Sequence, residues 1–131
     1  MEENSRIEGI FTDKAPRPVG PYSQAVKAGC FIFISGQIPI DPSTGELIKE
    51  DFQRAVHRVL DNLKAIVEAS GASLDNVVKV TVYLRDITRF PEFNKIYSEY
   101  FTGVKPARVV VGVKDLPLDS DLEIEAIAYV C

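Results

Sequence analysis

One arginine and two glutamates stand inside the two most apolar runs near the end of this 131-residue chain. Arg108 lies in Pro106-Ala107-Arg108-Val109-Val110-Val111-Gly112-Val113. Glu123 and Glu125 lie in Leu122-Glu123-Ile124-Glu125-Ala126-Ile127-Ala128-Tyr129-Val130. Valine-rich runs of this kind fit the inside of a sheet. Period two puts Leu122, Ile124, Ala126, Ala128 and Val130 on one face, and Glu123, Glu125, Ile127 and Tyr129 on the other. An ionised carboxylate is costly to bury alone, so the second face meets solvent or lines a polar cleft. The chemistry on offer is anion binding: a fixed guanidinium can hold a carboxylate bidentately, with a glutamate beside it to handle a proton or a water. The plainer alternative is a solvated face carrying an ordinary ion pair.

Composition narrows the other possibilities. The hydrophobic share of 46% and a length of 131 residues predict a single soluble domain over residues 1–131. No apolar run approaches the ~18 residues of a membrane span, and the polar, acidic start Met-Glu-Glu-Asn-Ser-Arg is no signal peptide. Residues 1–6 are expected to form a loose arm. Net charge is -4 with no clustered Lys/Arg, which argues against nucleic acid as a partner. A single histidine and scattered carboxylates predict no metal site, and no cofactor motif is present. Cys30 and Cys131 make neither a disulfide framework nor a metal motif. They are expected to be a core cysteine and a chain end in a reducing cytoplasm.

The elements that must position these residues can be read in order. Ile7 to Phe11 is a short first strand. Thr12 to Pro21, with prolines at 16, 18 and 21, is a pre-ordered loop suited to holding Tyr22 in place. Ser23–Ala28 and Cys30–Ile38 form a hairpin about Ala28-Gly29. Its second strand ends at Ser35-Gly36-Gln37, where the glycine predicts a bulge or a close approach of the backbone to a chain, a ligand or a bend. From about Glu50 to Ser70 the period is 3.6, with Phe52, Val56, Val59, Leu60, Leu63, Ile66 and Val67 in one stripe, Asn62 off it and His57 at its edge. Val77–Leu84 is a strand, Asp86–Phe101 a second helix, and 115–121 a crossing loop.

Two strand–helix–strand units in a row predict parallel neighbours, with both helices on one face of a mixed sheet. The strands at 31–38 and 107–113 are too apolar to leave the other face to water, which points to oligomerisation. If the last two strands form a hairpin turning near residue 118, Arg108 falls opposite residue 127 and cannot pair with Glu123. If another strand separates them, or they come from different chains, they can converge on a small ligand.

Gly20-Pro21-Tyr22-Ser23-Gln24-Ala25, Ser35-Gly36-Gln37-Ile38-Pro39, Val78-Lys79-Val80-Thr81-Val82-Tyr83, Pro106-Ala107-Arg108, Leu116-Pro117 and Glu123-Ile124-Glu125-Ala126-Ile127-Ala128 occur in that order. Together they resemble the reactive intermediate deaminase family, RidA/YjgF, from about Phe11 to Val130. The resemblance implies a chorismate-mutase-like α/β fold whose last strand lies between the 31–38 and 77–84 strands, antiparallel to both. It further implies a homotrimer with clefts between subunits. The implied activity is cofactor-independent hydrolysis of 2-enamine/2-imine acids, such as 2-aminoacrylate and 2-aminocrotonate, to 2-keto acids and ammonium. By the same resemblance Arg108 clamps the substrate carboxylate, Glu123 is associated with the hydrolytic water, and Tyr22 lines the cleft. Gly36 is where backbone nears the substrate, and Asn94 lies near the cleft. Ser35 offers its hydroxyl there or satisfies the backbone at the bend. Val110 stands where many relatives carry a cysteine. The rival function is a non-catalytic 2-keto-acid sensor or regulatory trimer using the same cleft.

Overall fold

Alternating apolar residues bounded by turn formers produce six strands, and one long 3.6-residue stripe produces the main helix. The computed structural model describes residues 6–131, so the arm expected over residues 1–6 lies, apart from Arg6, outside the described residues. The elements are β1 (Ile7–Ile10), β2 (Ala25–Ala28), β3 (Phe31–Gln37), α1 (Phe52–Ala69), β4 (Val77–Leu84), α2 (Phe90–Tyr100), β5 (Ala107–Gly112) and β6 (Leu122–Tyr129). They build one sheet of order β1-β2-β3-β6-β4-β5.

The last strand is therefore central. β6 runs antiparallel to both β3 and β4, while β4 and β5 are parallel with Val80 opposite Arg108. This excludes the hairpin of the final two strands. It also corrects the expectation of two parallel neighbour pairs: β3 and β4 share a direction, but β6 is inserted between them.

Helix α1 starts at Asp51, whose carboxylate accepts the Arg54 amide at 3.1 Å. Its stripe from Phe52 to Val67 is buried against the sheet. Each fully buried Val, Leu or Ile there contributes on the order of 1.5–3 kcal/mol. Asn62, expected outside the stripe, is buried as well. Its side-chain amide donates to the Ile40 carbonyl at 3.0 Å and so fastens the loop after β3 to the helix. His57 takes the expected boundary position, with Nδ1 2.9 Å from the Tyr100 hydroxyl. Both helices cover the face bearing Ile32, Ile34, Val80, Val82, Ile124 and Ala126, which is the core. On the opposite face Phe33 is 46% and Tyr129 44% exposed, in line with the sequence pattern of a sheet too apolar to face water.

The expectation for the two cysteines is overturned as well. Cys30, in the β2–β3 turn, and Cys131, the last residue, have Cα atoms 5.1 Å apart and are joined as a disulfide. They meet because β6 pairs with β3 to its end, where the Val130 amide donates to the Cys30 carbonyl at 2.8 Å. The pairing of distant segments, invisible in sequence spacing, makes two unrelated cysteines neighbours.

Candidate active site

Glu123 begins the polar half of β6 and points to the sheet face away from the helices, where it stands opposite Tyr83 of β4. On its other side the ladder between β6 and β3 slips between Ile34 and Gln37. Gly36 sits in that irregularity, and the Glu123 side chain lies across it. A methyl group on Gly36 would fall 2.9 Å from Glu123 Cδ and 3.2 Å from Cγ. The close approach anticipated at Gly36 is thus made by a carboxylate of the same chain.

That carboxylate lines a cavity of about 430 Å³ together with Tyr22, Ser35, Gly36, Pro117 and Arg17. Among the described residues no hydrogen bond or ion pair reaches Glu123. Burial, and secondarily the nearby charge of Glu125, pushes its carboxyl pKa up. Glu125, two residues on and also on the cavity wall, has a partner: it accepts the Tyr83 hydroxyl at 3.1 Å. The two glutamates therefore differ, and the one with a free, perturbed carboxylate is Glu123.

The rest of the cavity is assembled by one buried glutamine. Gln24 accepts the Thr12 amide at 2.7 Å and donates to the Thr12 and Pro16 carbonyls at 3.0 and 2.8 Å. It pins the proline-rich loop, and with it Arg17 and Tyr22, over the end of β3. The Tyr22 hydroxyl accepts the Val19 amide at 3.2 Å, which closes the loop's tip. Ser35 lines the cavity, and its hydroxyl donates to the Ser23 carbonyl at 2.6 Å, satisfying backbone at the bend. Gln24 belongs to the Gly-Pro-Tyr motif, and its residue type alone does not reveal this role. The signal that could have found it is a glutamine at the start of a strand beside a proline-rich loop whose backbone groups lack partners of their own.

Arg108 is elsewhere. Paired with Val80, it points to the helix side of edge strand β5, where its guanidinium sits 4.7 Å from the Tyr97 ring centroid and 5.5 Å from that of Phe90. Among the described residues no carboxylate pairs with it. It borders a shallow opening of about 370 Å³ with Ile87, Phe90 and Val110. Beneath it, burial pushes the Tyr97 hydroxyl pKa up to about 12, against the opposing charge of Arg108. The Tyr97 hydroxyl and the Asn94 Oδ1, three residues apart on α2, are buried without hydrogen-bond partners among the described residues.

The structure thus brings together Tyr22, Ser35, Gly36 and Glu123 in one cavity. It places Arg108 at another opening, on the opposite face of the sheet, and Asn94 on the helix below Arg108's aromatic seat. Chemically the first cavity offers a carboxylate free to bind a water. The second offers an uncommitted guanidinium, rigidly seated, to bind an anion. Among the described residues no cluster of His, Cys, Asp and Glu is arranged to hold a metal ion.

Comparison with known proteins adds four findings. The model of the family described as endoribonuclease L-PSP matches residues 12–130. A RutC family protein of Pyrococcus abyssi is 61% identical over 122 residues, covering 93% of this chain and 96% of that one. A 2-iminobutanoate/2-iminopropanoate deaminase of Dermatophagoides farinae is 41% identical over 121 residues, covering 92% and 94%. Among solved structures, the YjgF gene product of E. coli superposes with a TM-score of 0.89 at 44% identity, covering 93% of this chain and 98% of that one.

Proposed function

The chain belongs to the endoribonuclease L-PSP family, the family of the RutC and RidA/YjgF proteins, and on that footing we propose that it hydrolyses 2-enamine/2-imine acids to 2-keto acids and ammonium. It would act as a 2-iminobutanoate/2-iminopropanoate deaminase without a cofactor. The observation that carries the reading is that Arg108 has no carboxylate partner and Glu123 no hydrogen-bond partner among the described residues, at two openings on opposite faces of one sheet. Neither opening suffices alone. A homotrimer that brings the Arg108 edge of one subunit to the Glu123 cavity of the next completes the site, and the bare apolar face around Phe33 and Tyr129 supports such an assembly.

In this reaction Arg108 holds the planar carboxylate through two charge-assisted hydrogen bonds. The enamine tautomerises to the imine, and a water held by Glu123 attacks C2. A C–O bond forms as the C=N π pair moves to nitrogen. Glu123 takes the proton of the water and returns it to the nitrogen; it then relays the carbinolamine's hydroxyl proton to the amino group, and the C–N bond breaks to release ammonia as the C=O bond forms. Tyr22 and Ser35 wall the cleft, and the backbone at Gly36 comes close to the reacting atoms. Asn94 supports the arginine side. Such imines hydrolyse readily in water, so positioning and an ordered water supply most of the acceleration needed. Val110 offers no thiol beside Arg108, and this route needs none.

The test is keto-acid release from 2-aminocrotonate made in situ by a threonine dehydratase, with wild type and Arg108→Ala. Acceleration by the wild type that Arg108→Ala abolishes supports the hydrolase. Binding of 2-ketobutyrate with no acceleration supports a sensor instead.

A further inference from the structure

The segment between β5 and β6 is held in a shape that its own residues disfavour. Leu118 and Asp119 are consecutive non-glycine residues in the left-handed region, with φ of 55° and 59°. The next residue, Ser120, buries its hydroxyl without a partner among the described residues. Such costs persist only where surrounding structure over-determines the conformation.

What over-determines it is Asp119. Lys49, from the loop before α1, donates to the Asp119 carbonyl and to its Oδ2, the latter at 3.1 Å. Arg85, at the end of β4, donates to the same carbonyl at 3.2 Å and to Oδ1. The Arg85 amide also donates to the Asp121 carbonyl at 3.1 Å. Two segments distant in sequence therefore converge on one residue, using both its backbone and its side chain. The Lys49 segment is itself unusual, since Glu50 has φ of 70°. The Lys49 hydrogen bond and the Arg85 charge hold the Asp119 carboxyl pKa below its usual value.

This clasp is two residues from the cavity on one side and four on the other. Pro117, just before the left-handed pair, and Glu123, just after it, both line the cavity. The Glu123 carboxylate has no hydrogen-bond partner among the described residues, so its place rests on how the backbone enters β6 opposite Leu84 and Tyr83 and on the gap at Gly36. We infer that Asp119 is a positioning residue for the Glu123 cavity: by gathering Lys49 and Arg85 it holds the Leu116–Ser120 loop against its local preference and so sets the Pro117 wall and the entry of Glu123. Asp119 touches no reacting atom. Its effect on turnover rests on the hydrolase reading above; its effect on the loop does not.

The experiment uses Asp119→Ala and the milder Lys49→Met and Lys49→Arg in the full chain. Amide hydrogen exchange of Leu118, Asp119 and Ser120, followed without substrate, reports the clasp directly. Exchange should rise roughly three- to tenfold in Lys49→Met, more in Asp119→Ala, and return toward wild type in Lys49→Arg. With imine substrate, kcat per folded molecule should fall by at least about twofold in Lys49→Met and recover in Lys49→Arg, folded molecules being counted by thermal melting. A merely structural residue would lower the folded fraction and leave the rate per folded molecule unchanged. Unchanged loop exchange in Lys49→Met overturns the inference, as does raised exchange with an unchanged rate per folded molecule. A wild type that turns over no imine counts against the hydrolase reading alone, and the inference then stands or falls on loop exchange.

Discussion

The carboxylate of Glu123 lies across the backbone of Gly36, so close that a methyl group there would stand 2.9 Å from Cδ. Gly36→Ala should therefore displace the carboxylate without disturbing the core, which lies on the other face of the sheet. The expected result is a fall in kcat/KM of at least roughly tenfold, as for a misplaced catalytic group, with a melting temperature close to wild type. Keto-acid release and thermal melting on the same sample decide it.

Arg108 should behave as a ligand-binding group and hardly as a structural one. Its seat on Tyr97 and Phe90 contributes only about 0.5–1 kcal/mol at a half-exposed site, and among the described residues no carboxylate loses a partner with it. Arg108→Ala is expected to lower kcat/KM by roughly a hundredfold while the melting temperature moves by only a few degrees. Arg108→Lys, which keeps the charge but loses the fork, should recover little of the activity. Steady-state kinetics of the two variants check this.

Burial raises the Glu123 pKa in the folded chain, and this fixes the sign of a pH effect. The folded state binds that proton more tightly than the unfolded state does, so the group favours folding at pH values below the ordinary glutamate value of 4.5. That contribution is lost as pH rises from there through the raised folded-state value. Glu123→Gln should accordingly be more stable than wild type near pH 7, with the difference shrinking toward pH 4. Urea unfolding of both proteins at the two pH values measures it.

The bare sheet face predicts an assembly that a charge can break. Phe33→Glu places a carboxylate among Phe31, Ile127 and Tyr129, where burial against another subunit would be costly. Sedimentation of the wild type should give a mass three times that of the chain, and Phe33→Glu should give that of the chain alone. Activity should vanish with assembly, because Arg108 and Glu123 lie on opposite faces of one copy.

The Cys30–Cys131 link closes a covalent ring with a sequence separation of 101 residues. Loop-closure entropy for a ring of that size predicts that Cys131→Ser lowers the melting temperature by on the order of 10 °C. Dithiothreitol should reproduce the drop in wild type and leave the variant unaffected. Thiol counts before and after reduction confirm that the bond was present.

Much of this architecture was legible in the chain. The stripe from Phe52 to Val67 and the strand Val77–Leu84 carry strong periodic signals, and both elements form where the pattern puts them. Period two separated Glu123 and Glu125 from the core face correctly. It could not say that one of them would be matched by Tyr83 and the other by nothing, because that depends on strand register. Strand order was beyond periodicity altogether: only the family motifs placed β6 between β3 and β4. The cysteine pair, the Gln24 pin and the buried Asn62 all depend on contacts between distant segments, and residue type at a single position carries no record of those.

The position of β6 also has a consequence for biogenesis. The strand in the middle of the sheet follows all its neighbours in the chain, so β3 and β4 each lack a partner until β6 has been made. The nascent chain can form its helices and its N-terminal hairpin early, but the fold closes only by late, long-range pairing. Deletion of β6 would thus expose two apolar strand edges at once and leave a sticky intermediate, whereas loss of an edge strand bares only one.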